Sequence, residues 1–224
     1  MAAKKIFTGC ILVTIFGVAA PILFSQAKPD AAAIYRTGRN LENQGRMEDA
    51  DAKYREAIAI CLDEINTGAG TMDSYAVLTW ALQRQKKYSD VIRRGNEALK
   101  IRPDYRVVET MGEAYFYLGN FEASLNCMQR YINNVSNGDR TSVAYFFIGE
   151  IYRFQKKYNY ADIAYTAAVQ LSPNMALWWY RLGSVRESAG DHKSASEAYE
   201  RALKIDPNYS QASSGLERVR RENV

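Results

Sequence analysis

Ala98–Tyr105 reads ALKIRPDY, and Ala202–Tyr209 reads ALKIDPNY. The two stretches begin 104 positions apart and share an apolar pattern, a lysine, a proline and a closing tyrosine. A common hydrophobic pattern would repeat a helix, but it gives no reason to repeat the lysine, the proline and the tyrosine as well. A duplicated structural unit accounts for all of them. Internal repetition is settled first because a fixed period decides the whole architecture.

Sliding outward by thirty-odd residues at a time finds five copies, with landmarks Gly38, Thr79, Gly112, Gly149 and Gly183. Large apolar residues flank each landmark: Ile34 and Leu41, Tyr75 and Leu82, Val108 and Tyr115, Tyr145 and Tyr152. In the fifth copy Trp179 precedes Gly183, but Arg186 takes the second apolar position. A second stripe follows in each unit, as in Met47, Ala50, Tyr54, Ala57 and in Tyr158, Ala161, Tyr165, Ala168. Spacings of three and four describe two amphipathic helices per unit.

This pattern resembles the tetratricopeptide repeat, a helix-turn-helix of about 34 residues. The fifth unit matches through Trp179, Leu182, Gly183, Gly190, Ala195, Tyr199, Ala202 and Pro207, and the fourth through Tyr145, Ile148, Gly149, Tyr152, Tyr158, Ala161, Tyr165, Ala168 and Pro173. The resemblance covers residues 31–209 and implies an all-α, right-handed superhelical solenoid of about five units. Their boundaries fall near 31–64, 72–104, 105–138, 142–175 and 176–209, with residues 210–224 as a C-terminal capping helix.

The landmarks have a packing logic. A small residue at the eighth position, with others at the twentieth and twenty-seventh, lets the paired helices approach, and large residues fill the space between them. Gly45, Gly119 and Gly190 suit a left-handed backbone at the end of the first helix, whereas units two and four carry Gln-Lys-Lys-Tyr at residues 85–88 and 155–158. Pro103, Pro173 and Pro207 end the second helices, because proline cannot continue them. Gly95 and Tyr131 stand where an aromatic and an alanine are usual. About seven extra residues around Asn66–Gly70 predict a longer, mobile connection after the first unit, and Asn137-Gly138-Asp139 a smaller insertion after the third. Ala212, Leu216 and Val219 share one face of the last segment, which suits a cap on the final exposed layer; Arg218, Arg220 and Arg221 then form its solvated face, a basic recognition tail being the alternative reading.

Residues 1–27 have the form of an export signal: Lys4 and Lys5, an apolar run from Ile6 to Phe24, then Ser25-Gln26-Ala27 before cleavage at Lys28. An uncleaved membrane anchor and a lipoprotein modified at Cys10 are the alternatives. All three place the body outside the cytosol, in the periplasm or cell envelope. Without Lys4 and Lys5 the chain keeps 27 basic against 25 acidic residues, too even a balance for a nucleic-acid partner. Membrane contact would come only through the N-terminal segment.

No enzyme, cofactor or metal site is expected. His192 is the only histidine and sits in a turn where an aromatic normally packs; nucleophile elbow, phosphate loop, CxxC and HExxH are all missing. Cys61 and Cys127 fall on the second helices of units one and three. With unit two between them, their separation exceeds what a disulfide spans.

The resemblance also implies a concave groove lined by the first helices. In its register this face carries Tyr35, Arg39, Trp80, Arg84, Arg106, Glu113, Phe116, Tyr117, Val143, Phe146, Phe147, Glu150, Arg153, Phe154, Leu177, Tyr180 and Arg181. Aromatics interleaved with arginine are the residue types of binding hot spots, and Tyr35, Trp80, Phe116, Phe146, Arg153, Phe154, Tyr180 and Arg181 are the partner-binding candidates, with units three to five as the principal surface. Packing on the next helix is the competing reading for about half of them. The lysine and asparagine with which related co-chaperones clamp a C-terminal carboxylate are replaced here by Tyr35, Arg39, Ala76 and Trp80. The expected function is a non-enzymatic protein-interaction scaffold of the envelope, taking a protein or peptide in the groove and serving envelope or secretion-machinery assembly. The alternative is a periplasmic binding protein for a small or transported ligand.

Overall fold

Eleven helices account for nearly all of the described residues, which in this computed structural model are 30–135 and 138–222. The export, anchor and lipoprotein readings of residues 1–27 therefore lie outside the described residues. The helices are α1 Ala31–Asn43, α2 Met47–Asn66, α3 Met72–Arg84, α4 Tyr88–Ile101, α5 Tyr105–Tyr117, α6 Phe121–Asn134, α7 Thr141–Phe154, α8 Tyr158–Leu171, α9 Ala176–Ser188, α10 His192–Ile205 and α11 Ser210–Glu222. No strand occurs among the described residues, and none of these helices is long and apolar enough to cross a membrane.

Local chemistry sets the boundaries. Asp30 caps α1 by accepting from the amides of Ala32 and Ala33, Thr71 and Ser74 form a capping box on α3, and Asp104, Asn120 and Asp191 cap α5, α6 and α10. The helices α4, α8 and α10 stop two residues before Pro103, Pro173 and Pro207. Between the paired helices the chain turns through one left-handed residue, Gly45, Gly119 or Gly190 with φ of 77° to 82°. In units two and four Lys86 (57°) and Lys156 (58°) hold the same conformation.

Each helix packs on the next, and α1 also meets α3, α3 meets α5, α5 meets α7 and α9 meets α11. The even helices make no comparable contacts with one another. The odd helices therefore form the inner layer of a solenoid and the even helices the outer one.

Within units the eighth and twenty-fourth positions interlock. A Cβ placed on Gly149 would lie 2.6 Å from the Tyr165 ring, and one on Gly38 or Gly183 would lie 2.7 Å from Tyr54 or Tyr199. In the second unit the exchange is reversed. Thr79 holds the eighth position and Gly95 the twenty-fourth, and Met111 from α5 fills the space over Gly95. Gly112 in turn receives Met128. The unusual residues thus compensate one another across two units. Tyr199 lies between Gly183 and Gly215, so α11 covers the last core layer with Ala212, Leu216 and Val219.

The connection after the first unit differs from the mobile loop expected there. Part of the insertion lengthens α2 through Asn66, Gly70 packs on Ile65, and Ser74 Oγ donates to Glu64 at 2.6 Å. Glycine here permits close packing. Cys61 and Cys127 are both free, on α2 and α6.

Candidate functional site

On the inner layer, carboxylates tie each unit internally and to its neighbour. The Tyr54 hydroxyl, emerging from the slot over Gly38, donates to Glu42 at 2.5 Å. Tyr165 donates in the same way to Glu150, and Tyr199 to Glu187. Arginines from the following element then reach back: Arg84 to Glu42 at 3.4 Å, Arg181 to Glu150 at 3.0 Å, and Arg218 of the cap to Glu187 at 2.7 Å. Burial, reinforced by the adjacent carboxylate, pushes the Tyr54, Tyr165 and Tyr199 hydroxyls well above the usual range, so they remain donors. Burial also raises the Glu187 carboxyl, but hydrogen bonds from Arg218 and Tyr199 outweigh it and hold the group below its ordinary value.

The third unit departs from this scheme. Glu109 is buried on α5 beside Glu113, and Arg140, which precedes α7, reaches both. Arg140 Nε donates to Glu109 Oε1 at 3.1 Å, and Gln83 Nε2 donates to Glu113 Oε2 at 3.1 Å. Burial first, then the neighbouring Glu113 charge, raises the Glu109 carboxyl well above the glutamate range, against the pull of Arg140. Two carboxylates facing one guanidinium favour retention of a proton at Glu109.

Along the inner layer, from α1 to α9, opens a cavity of about 770 Å³. Tyr35, Trp80 and Phe146 of the expected set line it. The Tyr35 ring lies 5.7 Å from both Tyr54 and Trp80, and Phe146 stacks on Trp178 at 5.0 Å. Phe116 and Phe154 lie elsewhere, at the turn end of α5 and α7. There Phe154 is half exposed, stacks on Phe121 at 5.4 Å and carries the Arg153 guanidinium 4.5 Å from its ring. Tyr180 packs on Tyr209 at 5.3 Å, with Arg181 5.5 Å from its ring. The structure thus distributes the eight candidates over three places on the solenoid. Arg153 and Arg181 converge on Glu150.

Sequence reasoning passed over Glu109, Tyr88, Tyr131, Arg140 and Trp178, all of which line the cavity. The register could have found Glu109, which occupies the same fifth position as Tyr35 and Phe146. Arg140 lies in an irregular connection that no register rule reaches.

Sequence models described as "Tetratricopeptide repeat" match residues 32–60, 142–175 and 176–209. A curated relative, the protein O-mannosyl-transferase TMTC1 of Homo sapiens, is 25% identical over 167 residues, covering 74% of this chain but only 18% of its own length. Among solved structures, residues 41 to the end of MamA from Desulfovibrio magneticus RS-1 superpose with a TM-score of 0.61 at 18% identity, over 82% of this chain and 99% of that one. YrrB, described as a TPR protein with an unusual peptide-binding site, gives 0.57 at 18% identity, over 84% of this chain and 92% of that one. These likenesses establish the fold; with three units matched in sequence and the helix pairs packed as a solenoid, the chain is a tetratricopeptide-repeat protein.

Proposed function

We propose that this protein is a non-enzymatic scaffold that holds a segment of a partner protein in the groove of its inner layer. The observation that carries this reading is the cavity running from α1 to α9, walled by Tyr35, Trp80 and Phe146 and rimmed by arginines. Aromatic rings supply large apolar area at little entropic cost, and guanidinium groups supply directional donors for carboxylates and carbonyls. YrrB, named for an unusual peptide-binding site, supports a peptide as the ligand. The ionisable groups beside the cavity are engaged with one another, as in Glu109–Arg140–Glu113, an arrangement that stabilises a surface.

The setting we propose is the cell envelope, on the export-signal form of residues 1–27. Mass spectrometry of the native protein should find a chain beginning at Lys28; an intact Met1 on a cytosolic protein would refute the setting and leave the groove reading in place. For the groove, photo-crosslinking from the Tyr35 position in native envelopes should capture a polypeptide, and Trp80→Ala and Phe146→Ala should lose that capture while retaining helicity. Full capture by both folded variants would refute the assignment.

One observation favours a second reading. A volume of about 770 Å³ falls within the roughly 300–1,000 Å³ of small-molecule pockets. Saturable binding of a low-mass envelope metabolite, unaffected by competing peptide, would decide for it.

A further inference from the structure

Two places on the inner layer have the same composition. Near the start of the groove, Glu42 lies between Arg39, 4.0 Å away, and Arg84, 3.4 Å away, and accepts from Tyr54. Toward the other end, Glu150 lies between Arg153 at 2.8 Å and Arg181 at 3.0 Å, and accepts from Tyr165. Each place sets two guanidinium groups against one carboxylate and retains a net positive charge.

In each, one arginine is incompletely used. Arg84 and Arg153 donate hydrogen bonds to the central glutamate, which fixes the guanidinium in place. Arg39 Nε, 4.0 Å from Glu42, and Arg181 Nε, 3.0 Å from Glu150, are shielded from water and held by ion pairs without hydrogen-bond geometry. Their side chains stay 41% and 30% exposed, so the remaining guanidinium edges are accessible. A guanidinium anchored through its buried Nε side, with its other edge exposed, is prepared for a second carboxylate.

We propose that these are two matched anion sites, and that the groove takes an extended peptide with an acidic side chain near each end of an aromatic or aliphatic stretch. The inference rests on the groove being the peptide site, and it adds the partner's charge pattern and spacing. The first site lies between α1 and α3, the second between α7 and α9. That is three helix steps of about 9 Å, or roughly 27 Å. An extended chain advances about 3.3 Å per residue, so the acids should be about eight residues apart. The stretch between them would cross the cavity past Trp80 and Phe146.

The test is selection of a displayed library of random peptides, long enough to span both sites, on the purified protein. Enriched peptides should carry two acidic residues about eight positions apart around an apolar core, and bind more weakly as salt rises. Arg39→Gln and Arg181→Gln should each weaken such a peptide roughly tenfold. Replacing the matching peptide glutamate by glutamine should cause the same loss in the unaltered protein and should not add to the arginine change. That arm alters nothing in the fold. Peptides that need Trp80 and Phe146 but lack the acidic pair, or ignore both arginine changes, would overturn the two-site inference and leave the groove reading standing. Selection of no peptide, or of peptides indifferent to Trp80→Ala and Phe146→Ala, would overturn both.

Discussion

Gly149→Ala tests the junction between fold and site, because it acts on the ring that holds Glu150. The new Cβ would lie 2.6, 2.7 and 3.0 Å from Cδ1, Cε1 and Cγ of Tyr165, well inside an ordinary carbon contact of about 3.5 Å. Tyr165 has no exposed surface, and its ring also packs against Phe146 at 5.7 Å, so it has little room to retreat. Overpacking of this kind costs about 1–3 kcal/mol. Displacement of the ring would also weaken its hydrogen bond to the Glu150 carboxylate, worth about 1.5–3 kcal/mol when intact. Against this, alanine gains about 1 kcal/mol of helix propensity over glycine. The expected net loss is about 2–3 kcal/mol, which at about 2–4 °C per kcal/mol for a chain of this size lowers the melting temperature by about 5–10 °C. Thermal and urea unfolding followed by far-ultraviolet circular dichroism would measure it. Tyr165→Phe, which keeps the ring and removes only the donor, should lose the hydrogen-bond share alone, about 1.5–3 kcal/mol. A Gly149→Ala protein as stable as the parent, or stabilised by its better helix former, would show that Tyr165 does not fill this slot.

Three further outcomes are expected. Glu109 holds its proton above the ordinary glutamate value of 4.5, so its contribution to stability is lost as pH rises from about 4.5 toward its raised folded value; Glu109→Gln should therefore gain on the parent between pH 4.5 and 7.5 in paired urea titrations, and a constant difference would contradict the burial argument. Burial pushes the Cys61 thiol up to about 12 and the Cys127 thiol up to about 11; both should resist alkylation in the native protein at pH 8 and react fully after unfolding without reductant, whereas protection of the unfolded chain would reveal a disulfide. Lys86→Gly and Lys156→Gly relieve a left-handed backbone that costs a side-chain-bearing residue about 1–2 kcal/mol; after glycine's greater unfolded entropy, each should stabilise by about 0.5–1 kcal/mol, and destabilisation by either would refute the turn geometry.

The repeat and its helix pairs were legible in the sequence because their packing is local and recurs. Gly149 against Tyr165 and Gly183 against Tyr199 are the same contact within a unit, so the residue types return at the same spacing. The cap was legible for a related reason: Ala212, Leu216 and Val219 continue an apolar stripe that has no further unit to cover it. Gly95 looked anomalous along the chain, and only α5 packing across the boundary showed Met111 in its place. The face assignment brought Tyr35, Trp80 and Phe146 to one cavity, since a helical register fixes which side chains share a face. It could not say which arginines meet which carboxylates. Arg39 and Arg84 converge on Glu42, Arg153 and Arg181 converge on Glu150, and Arg140 reaches Glu109 from an irregular connection. Such pairs depend on how far one unit is displaced and turned against the next, a relation between surfaces that no single period encodes. Tertiary structure therefore decided where charge is neutralised along the inner layer and where guanidinium groups keep an exposed edge.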